Sequence, residues 1–169
     1  MIELGDCTQW FAEKLERLRY EYDIKPTDYI IDLGSYKREW ADKIGGTVDC
    51  FDVLDNTAAW LFDGEISFGG ENNTTSQFEE TNQTCKCYDI AKFVHNVRLM
   101  KINIEGAEYA ILNYLIDKDL LKEIQEIQVQ FHIVDGDTER YDLLKKRMEL
   151  THHITWRYPF VWENWHVNI

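Results

Sequence analysis

Long apolar runs are missing from this sequence, which has no stretch near the roughly 20 apolar residues that a membrane-spanning helix needs. The amino terminus also lacks the charged and then apolar pattern of a secretory signal peptide. We therefore expect no membrane insertion and a cytoplasmic location.

Basic residues are scarce, because 18 lysines and arginines stand against 31 aspartates and glutamates, which gives a net charge of −13. A chain this acidic would repel the phosphates of nucleic acids, so we expect no nucleic-acid partner. The same acidity favours neutral or cationic ligands.

Cysteine is too sparse to suggest a disulfide framework, with four residues at Cys7, Cys50, Cys85 and Cys87. Cys85 and Cys87 could form half of a metal site, but no second pair of Cys or His has a matching spacing. We expect reduced thiols with mainly structural roles, and no metal.

What the chain does contain is an alternation of short apolar segments with helix-like segments. Strands are predicted at 29–33, 48–51, 99–104 and 127–132, a hairpin at 58–68, and helices at 8–22, from Gly34 to about Ile44, at 88–94, 107–116 and 138–150. The segment 69–84 is expected to be a mobile loop, and the aromatic tail at 153–167 a closing strand pair.

This alternation predicts one α/β domain over residues 1–169, of which 1–26 form an N-terminal helical segment. We expect a mostly parallel sheet with helices on both faces and a C-terminal antiparallel strand pair.

Two predicted strands carry polar stripes where a parallel strand is usually apolar throughout. The stripes are Lys101, Asn103 and Glu105 on one strand, and Gln128, Gln130 and His132 on the other. Three interpretations stay open: an active cleft, a polar core satisfied by internal hydrogen bonds, or a subunit interface.

The end of the first predicted strand has the features of a nucleoside-cofactor site. Gly34 permits close backbone approach to a ligand, and the start of the following helix offers free N–H groups. Asp52 lies 18 residues further on, at the end of the next strand, where a carboxylate can bind both hydroxyls of an adenosine ribose. Alternatively, Asp52 is only a turn residue.

These segments resemble the FkbM family of S-adenosylmethionine-dependent methyltransferases, which have the Rossmann-like class I methyltransferase fold. The resemblance covers roughly residues 27–169, and its matching segments are Asp32-Leu33-Gly34-Ser35-Tyr36, Phe51-Asp52, Lys101-Ile102-Asn103-Ile104-Glu105-Gly106-Ala107-Glu108, 127–132 and 160–165. It implies S-adenosylmethionine as the cofactor, and O-methylation of a small hydroxylated acceptor such as a saccharide.

The resemblance also implies roles for individual residues. The cofactor would be held by Asp32, Gly34, Ser35, Tyr36, Asp52 and Asn103. Methyl transfer to a hydroxyl needs alignment and a base, and His132 and Glu105 are the candidate bases. His132 has the better intrinsic pKa for this at neutral pH. The alternatives are a structural histidine and a glutamate that stabilises the next helix, and Glu108 is interpreted as part of that helix start.

The chain departs from the family at Arg38, Asn103 and Asp52, where members usually have Gly, Asp and Glu. Arg38 and Asn103 favour an alternative, a catalytically silent methyltransferase-fold module that acts in binding or assembly. A nicotinamide-dependent oxidoreductase has less support, because two of the three glycines expected in its loop are missing. The aromatic tail leaves a homo-oligomer open.

Overall fold

The computed structural model describes residues 2–3, 9–68, 83–133 and 138–168. Within these residues the strands are β1 (Ile2–Glu3), β2 (Tyr29–Leu33), β3 (Thr47–Phe51), β4 (Ala58–Trp60), β5 (Gly64–Phe68), β6 (Gln83–Asp89), β7 (Val97–Ile102), β8 (Ile124–Val129), β9 (His152–Tyr158) and β10 (Trp162–Val167). The helices are α1 (Gln9–Leu18), α2 (Ala41–Ile44), α3 (Glu108–Asp117) and α4 (Glu139–Met148).

Seven strands form the larger sheet, in the order β1-β9-β10-β8-β7-β2-β3. The pairs β3·β2, β2·β7, β7·β8 and β1·β9 are parallel, whereas β10 is antiparallel to both β8 and β9. The prediction of an α/β fold with a mostly parallel sheet is therefore confirmed, and so is the antiparallel strand pair in the tail.

Alternate side chains of each strand point to opposite sides of the sheet, so both of its faces carry apolar side chains. Helices pack on both faces. On one face, Ile31, Met100 and Ile127 pack with residues of α3 and α4 in the main hydrophobic core. On the other face, Ile30 and Leu99 pack with Trp40 and with Ile44 of α2.

The predicted hairpin at 58–68 is wrong. Its two halves are β4 and β5, but they do not pair with each other. Strand β6 lies between them, parallel to β4 and antiparallel to β5, in a separate three-stranded sheet. Cys85 and Cys87 of β6 are buried against Ala58 and Phe68, so β6 supplies both the hydrogen bonds and the apolar surface that a local turn would not.

Three predicted helices are shorter than expected. The one predicted at 8–22 is α1, which ends at Leu18. The segment after Gly34 forms a 3₁₀ turn at Tyr36–Arg38 and then α2, because Tyr36, Lys37 and Arg38 all have positive φ angles that an α-helix cannot continue. The segment 88–94 contains the end of β6 and a 3₁₀ turn at Ile90–Lys92, in which the Asp89 side chain accepts a hydrogen bond from the Ala91 amide.

Of the predicted mobile loop, 69–82 lie outside the described residues, and Gln83 and Thr84 belong to β6. Among the helices that the structure describes, none combines the length and the apolarity that crossing a membrane requires.

Candidate functional site

The candidate site lies where the chain reverses direction across the larger sheet. From β2 the chain goes outward to β3, and it later returns to β7 on the other side of β2 and continues to β8. The carboxyl ends of β2 and β7 therefore flank a topological switch point, which is where open α/β sheets bind ligands. A pocket of about 240 Å³ opens at this place.

The pocket has an apolar wall and a polar rim. Leu33 and Phe51, at the ends of β2 and β3, form its base, and the small sheet contributes Trp60, Ile66 and Phe68. The polar side chains that line it belong to Tyr36, Asp52, Asn103 and Glu105. Among the described residues of this lining there is no lysine, arginine or histidine, so the pocket suits a neutral or cationic ligand.

Gly34 brings β2 and β7 together at the base of the pocket. Its φ angle is +75°, and a Cβ atom at this position would lie 1.9 Å from the carbonyl oxygen of Asn103. The close approach predicted for Gly34 is thus made to the neighbouring backbone. Its amide donates to the carbonyl of Phe51 at 2.8 Å, which joins the loop to β3 as well.

The loop after Gly34 is held in a strained conformation. Tyr36, Lys37 and Arg38 have φ angles of 27°, 53° and 62°, and non-glycine residues with such angles cost about 1–3 kcal/mol each. Strain of this kind is often found at ligand sites. Arg38 lies outside the pocket lining, half-exposed, and its guanidinium pairs with Asp42 at 3.5 Å.

Asp52 organises the rim of the pocket from the end of β3. Its Oδ2 accepts a hydrogen bond from the Tyr36 amide at 2.8 Å, and its Oδ1 accepts one from the Leu54 amide at 2.9 Å. Each carboxylate oxygen can accept more than one hydrogen bond. Asp52 therefore acts as a turn residue and retains acceptor capacity at the pocket.

Asn103 has a buried side-chain oxygen that finds no hydrogen-bond donor among the described residues. Its side-chain Oδ1 is buried and accepts no hydrogen bond from any described residue, although the residue lines the pocket. A buried acceptor left in this state is costly, and a ligand that donates a hydrogen bond would satisfy it.

Asp32 and Ser35 lie outside the pocket lining. Asp32 is fully buried and pairs with Lys101, whose ammonium is 2.9 Å from its Oδ1. Burial raises the pKa of Asp32, and the charge of Lys101 opposes that shift. Ser35 is buried too, and its hydroxyl lies beside the Cys50 thiol.

His132 joins two glutamates at the ends of β7 and β8. Its Nδ1 is 2.8 Å from Glu108 Oε1, and its Nε2 is 3.3 Å from Glu105 Oε2. Burial lowers the pKa of His132, but the hydrogen bond and charge of Glu108, together with the charge of Glu105, outweigh burial and raise it overall. Burial raises the pKa of Glu105. His132 lies behind Glu105, which itself lines the pocket.

Glu108 does more than the helix-start role expected of it. Its carboxylate is fully buried and accepts hydrogen bonds from the amides of Ile104 and Gly106, both at 2.9 Å. It also holds Nδ1 of His132, a role that sequence reasoning missed. The sequence could have indicated this contact, because β7 and β8 are parallel neighbours whose carboxyl ends both lie beside this glutamate.

The polar stripes lie partly inside the sheet and partly at the pocket. Inside the sheet, Gln128 donates hydrogen bonds to the Arg19 carbonyl and the Tyr22 hydroxyl, both at 2.9 Å, which is a polar core. Beyond the strand ends, Asn103 and Glu105 line the pocket. Within the described part of the chain, no group of three or more His, Cys, Asp or Glu is arranged to hold a metal ion.

No protein-family model, curated protein or solved structure matches this chain.

Proposed function

We propose that this chain is an S-adenosylmethionine-dependent methyltransferase of the FkbM type, with a Rossmann-like class I fold, which methylates a hydroxyl of a small acceptor such as a saccharide. The sheet order supports the fold, because β3-β2-β7-β8 has the same reversal next to the first βα unit as the doubly wound nucleotide-binding sheets.

The observation that carries the proposal is the pocket at this reversal. It brings together Gly34, Tyr36, Asp52, Asn103 and Glu105, which are distant in sequence and were singled out from it. A pocket formed by chance between unrelated loops would not be expected to contain all of these residues.

The residues present fit the cofactor in three respects. The unpartnered Oδ1 of Asn103 can accept a hydrogen bond from an amine or hydroxyl of a ligand. Asp52 has acceptor capacity left for ribose hydroxyls. A lining that contains two carboxylates, no described cation and the aromatic rings of Tyr36 and Trp60 suits a sulfonium charge.

When bound, the cofactor supplies a methyl group activated by a positively charged sulfur. The chain's task is to align an acceptor hydroxyl with that group and to receive its proton. Glu105 lies in the pocket lining and contacts Nε2 of His132. In the neutral tautomer that donates a hydrogen bond from Nδ1–H to Glu108, Nε2 of His132 is the atom that takes up the proton that Glu105 receives from the hydroxyl.

The catalytically silent binding module remains the second candidate, and one contact favours it. Both carboxylate oxygens of Asp52 already hold backbone amides, of Tyr36 and Leu54, so the residue has a structural role without any ligand. Asn103 also lacks the charge of a carboxylate.

Titration calorimetry with S-adenosylhomocysteine tests the proposal. We expect saturable binding with one site per chain, and no binding at millimolar ligand would contradict both the cofactor and the enzyme. Binding without methyl transfer to any of a panel of saccharides and other hydroxylated acceptors would favour the silent module.

The ribose assignment is tested by Asp52→Ala, with Asp55→Ala as the matched control. Asp55 ends the 3₁₀ turn Val53–Asp55, which Asp52 caps; it is exposed and lies outside the pocket lining. We expect Asp52→Ala to lose about tenfold or more in affinity, as removal of charged hydrogen bonds does, and the control to keep its affinity. Unchanged binding by folded Asp52→Ala would refute the assignment.

A further inference from the structure

Lys101 carries a charge into the sheet and ends beneath the loop that follows β2. Its side chain is 5% exposed, and its ammonium lies 2.9 Å from Asp32 Oδ1. The same ammonium donates a hydrogen bond to the Gly34 carbonyl oxygen at 2.6 Å. Because Asp32 and Lys101 are register partners in the parallel pair β2·β7, this one side chain links β7 to the first residue of the loop.

Stability alone does not explain an ion pair at this depth. Removing two charges from water costs so much that well-packed apolar residues are often as stabilising as a buried pair, or more so. Ile30 and Leu99, on the same face of the same two strands, show that this surface accepts apolar side chains. The pair therefore points to a role besides packing.

The loop that follows Gly34 is held by hydrogen bonds from two sides, and Lys101 provides the one from β7. On the β3 side, the Gly34 amide bonds to the Phe51 carbonyl and the Tyr36 amide bonds to Asp52. The residues that follow Gly34 have positive φ angles, and strained backbone persists only where its surroundings fix it. The Lys101 ammonium provides a charged hydrogen bond from the opposite side, which is stronger than a neutral one.

We propose that Lys101 is a positioning residue, which fixes the loop at 34–38 through the Gly34 carbonyl and so holds Tyr36 in the conformation that lines the pocket. Asp32 compensates the buried ammonium and does not itself touch the ligand. The consequence for cofactor affinity rests on the proposed function, whereas the hold on the loop does not.

The double variant Lys101→Met with Asp32→Leu separates positioning from stability. It removes both charges and leaves neither buried alone, so we expect it to recover most of the melting temperature that Lys101→Met loses. If Lys101 positions the loop, the double variant still binds S-adenosylhomocysteine about tenfold or more weakly than the natural chain. Natural affinity in the folded double variant would overturn the proposal.

Amide hydrogen exchange, measured without ligand, tests the loop directly. The amides of Gly34, Tyr36 and Arg38 are hydrogen-bonded, so each should be protected in the natural chain. We expect their exchange to rise about tenfold or more in the double variant, while the Gln130 amide, bonded to Ile102 between β7 and β8, stays protected. Unchanged exchange in the loop would overturn the proposal even if the chain binds no cofactor.

A second pair of variants decides the matter should the double variant fail to fold. Asp32→Asn keeps the Lys101 contact with Gly34, and we expect it to preserve the protection of the loop. Lys101→Gln replaces the ammonium with a shorter neutral group, and we expect it to lose that protection. Equal exchange in the two variants would contradict the proposal. Lys122→Met, at an exposed lysine, is the control for loss of a positive charge.

Discussion

One face of β2, β7 and β8 is apolar, whereas the opposite face of the same three strands carries a buried ion pair and a hydrogen-bond network. The apolar face packs on α3 and α4 through residues such as Met100 and Ile127. The polar face contains Lys101 with Asp32, and Gln128 with the Tyr22 hydroxyl.

The difference between the faces indicates that one mainly stabilises the fold, whereas the other mainly fixes the positions of groups near the pocket. Apolar burial on the first face stabilises the domain without setting any precise geometry. Charged and amide groups on the second face cost free energy to bury, but they fix directions through hydrogen bonds. At the carboxyl ends of the strands both faces meet the pocket, the polar face through Gly34 and Asn103 and the apolar face through Leu33 and Phe51.

Breaking the ion pair from one side should have the largest effect. Lys101→Met leaves the Asp32 carboxylate buried without its partner, which we expect to cost about 3–5 kcal/mol in the free energy of unfolding. Burial already raises the pKa of Asp32, so the variant should regain stability as the pH falls and the carboxyl group becomes protonated. Urea denaturation over a pH series measures this. A loss that does not depend on pH would contradict the explanation.

Truncating a buried side chain on the apolar face should lower the free energy of unfolding nearly as much, but leave the pocket unchanged. Ile127→Ala removes a fully buried side chain, and we expect a loss of about 2–5 kcal/mol in the free energy of unfolding. Affinity for S-adenosylhomocysteine, measured well below the melting temperature, should not change. A large loss of affinity would mean that the two faces are not separate in function.

Removing an amide from the polar network should have an intermediate effect. Gln128→Ala leaves the Arg19 carbonyl without its Gln128 donor, which we expect to cost about 1–3 kcal/mol in urea denaturation. Gln125→Ala on the same strand is the control, because Gln125 is exposed and its loss should be nearly neutral. Equal effects in both variants would show that the network contributes nothing specific.

The smallest effect should be the pH dependence that His132 contributes. Its pKa is raised above 6.5, so the protonated form is favoured in the folded chain. This contribution to stability is complete below the unfolded pKa and disappears as the pH rises through the folded pKa. The raised pKa of Glu105 acts with the same sign.

We therefore expect the natural chain to lose stability, as the pH rises above about 6.5, more steeply than His132→Gln does. Exposed His153 provides the control variant, His153→Gln, whose profile should follow the natural chain. Parallel profiles for the natural chain and His132→Gln would contradict the assigned pairing with Glu105 and Glu108.

The junctions at the site were predictable from sequence because each is a local signal, although β7 ends at Ile102 and β8 at Val129, two and three residues before their predicted ends. Leu33 followed by Gly34, and Ile104 followed by Glu105 and Gly106, both mark an apolar strand that stops at a glycine. Parallel strands place such ends at one edge of a sheet, so the collection of Gly34, Asn103 and Glu105 follows from topology.

Sequence reasoning missed contacts between segments that are distant in the chain. The Asp63-Gly64 turn favours a hairpin, and nothing local to 58–68 reveals that β6, about 20 residues later, lies between the two strands. The resemblance places Asp32 among the cofactor-binding residues, and the structure puts it outside the pocket lining. Alternation along β2 instead turns its side chain to the face opposite Leu33, where Lys101 is its register partner.

We propose that the carboxyl ends of β2 and β7 form a cofactor site to which both faces of the sheet contribute, Leu33 and Phe51 from the apolar face and Asn103 from the polar face. Amide chemical shifts during titration with S-adenosylhomocysteine test it most directly, because the sheet has a second, polar pocket at its opposite end, beside Thr27 and Asn96. We predict saturable shifts at Tyr36, Asn103 and Glu105 and none at Thr27 or Asn96. Shifts confined to the opposite end, or none at millimolar ligand, would contradict the account.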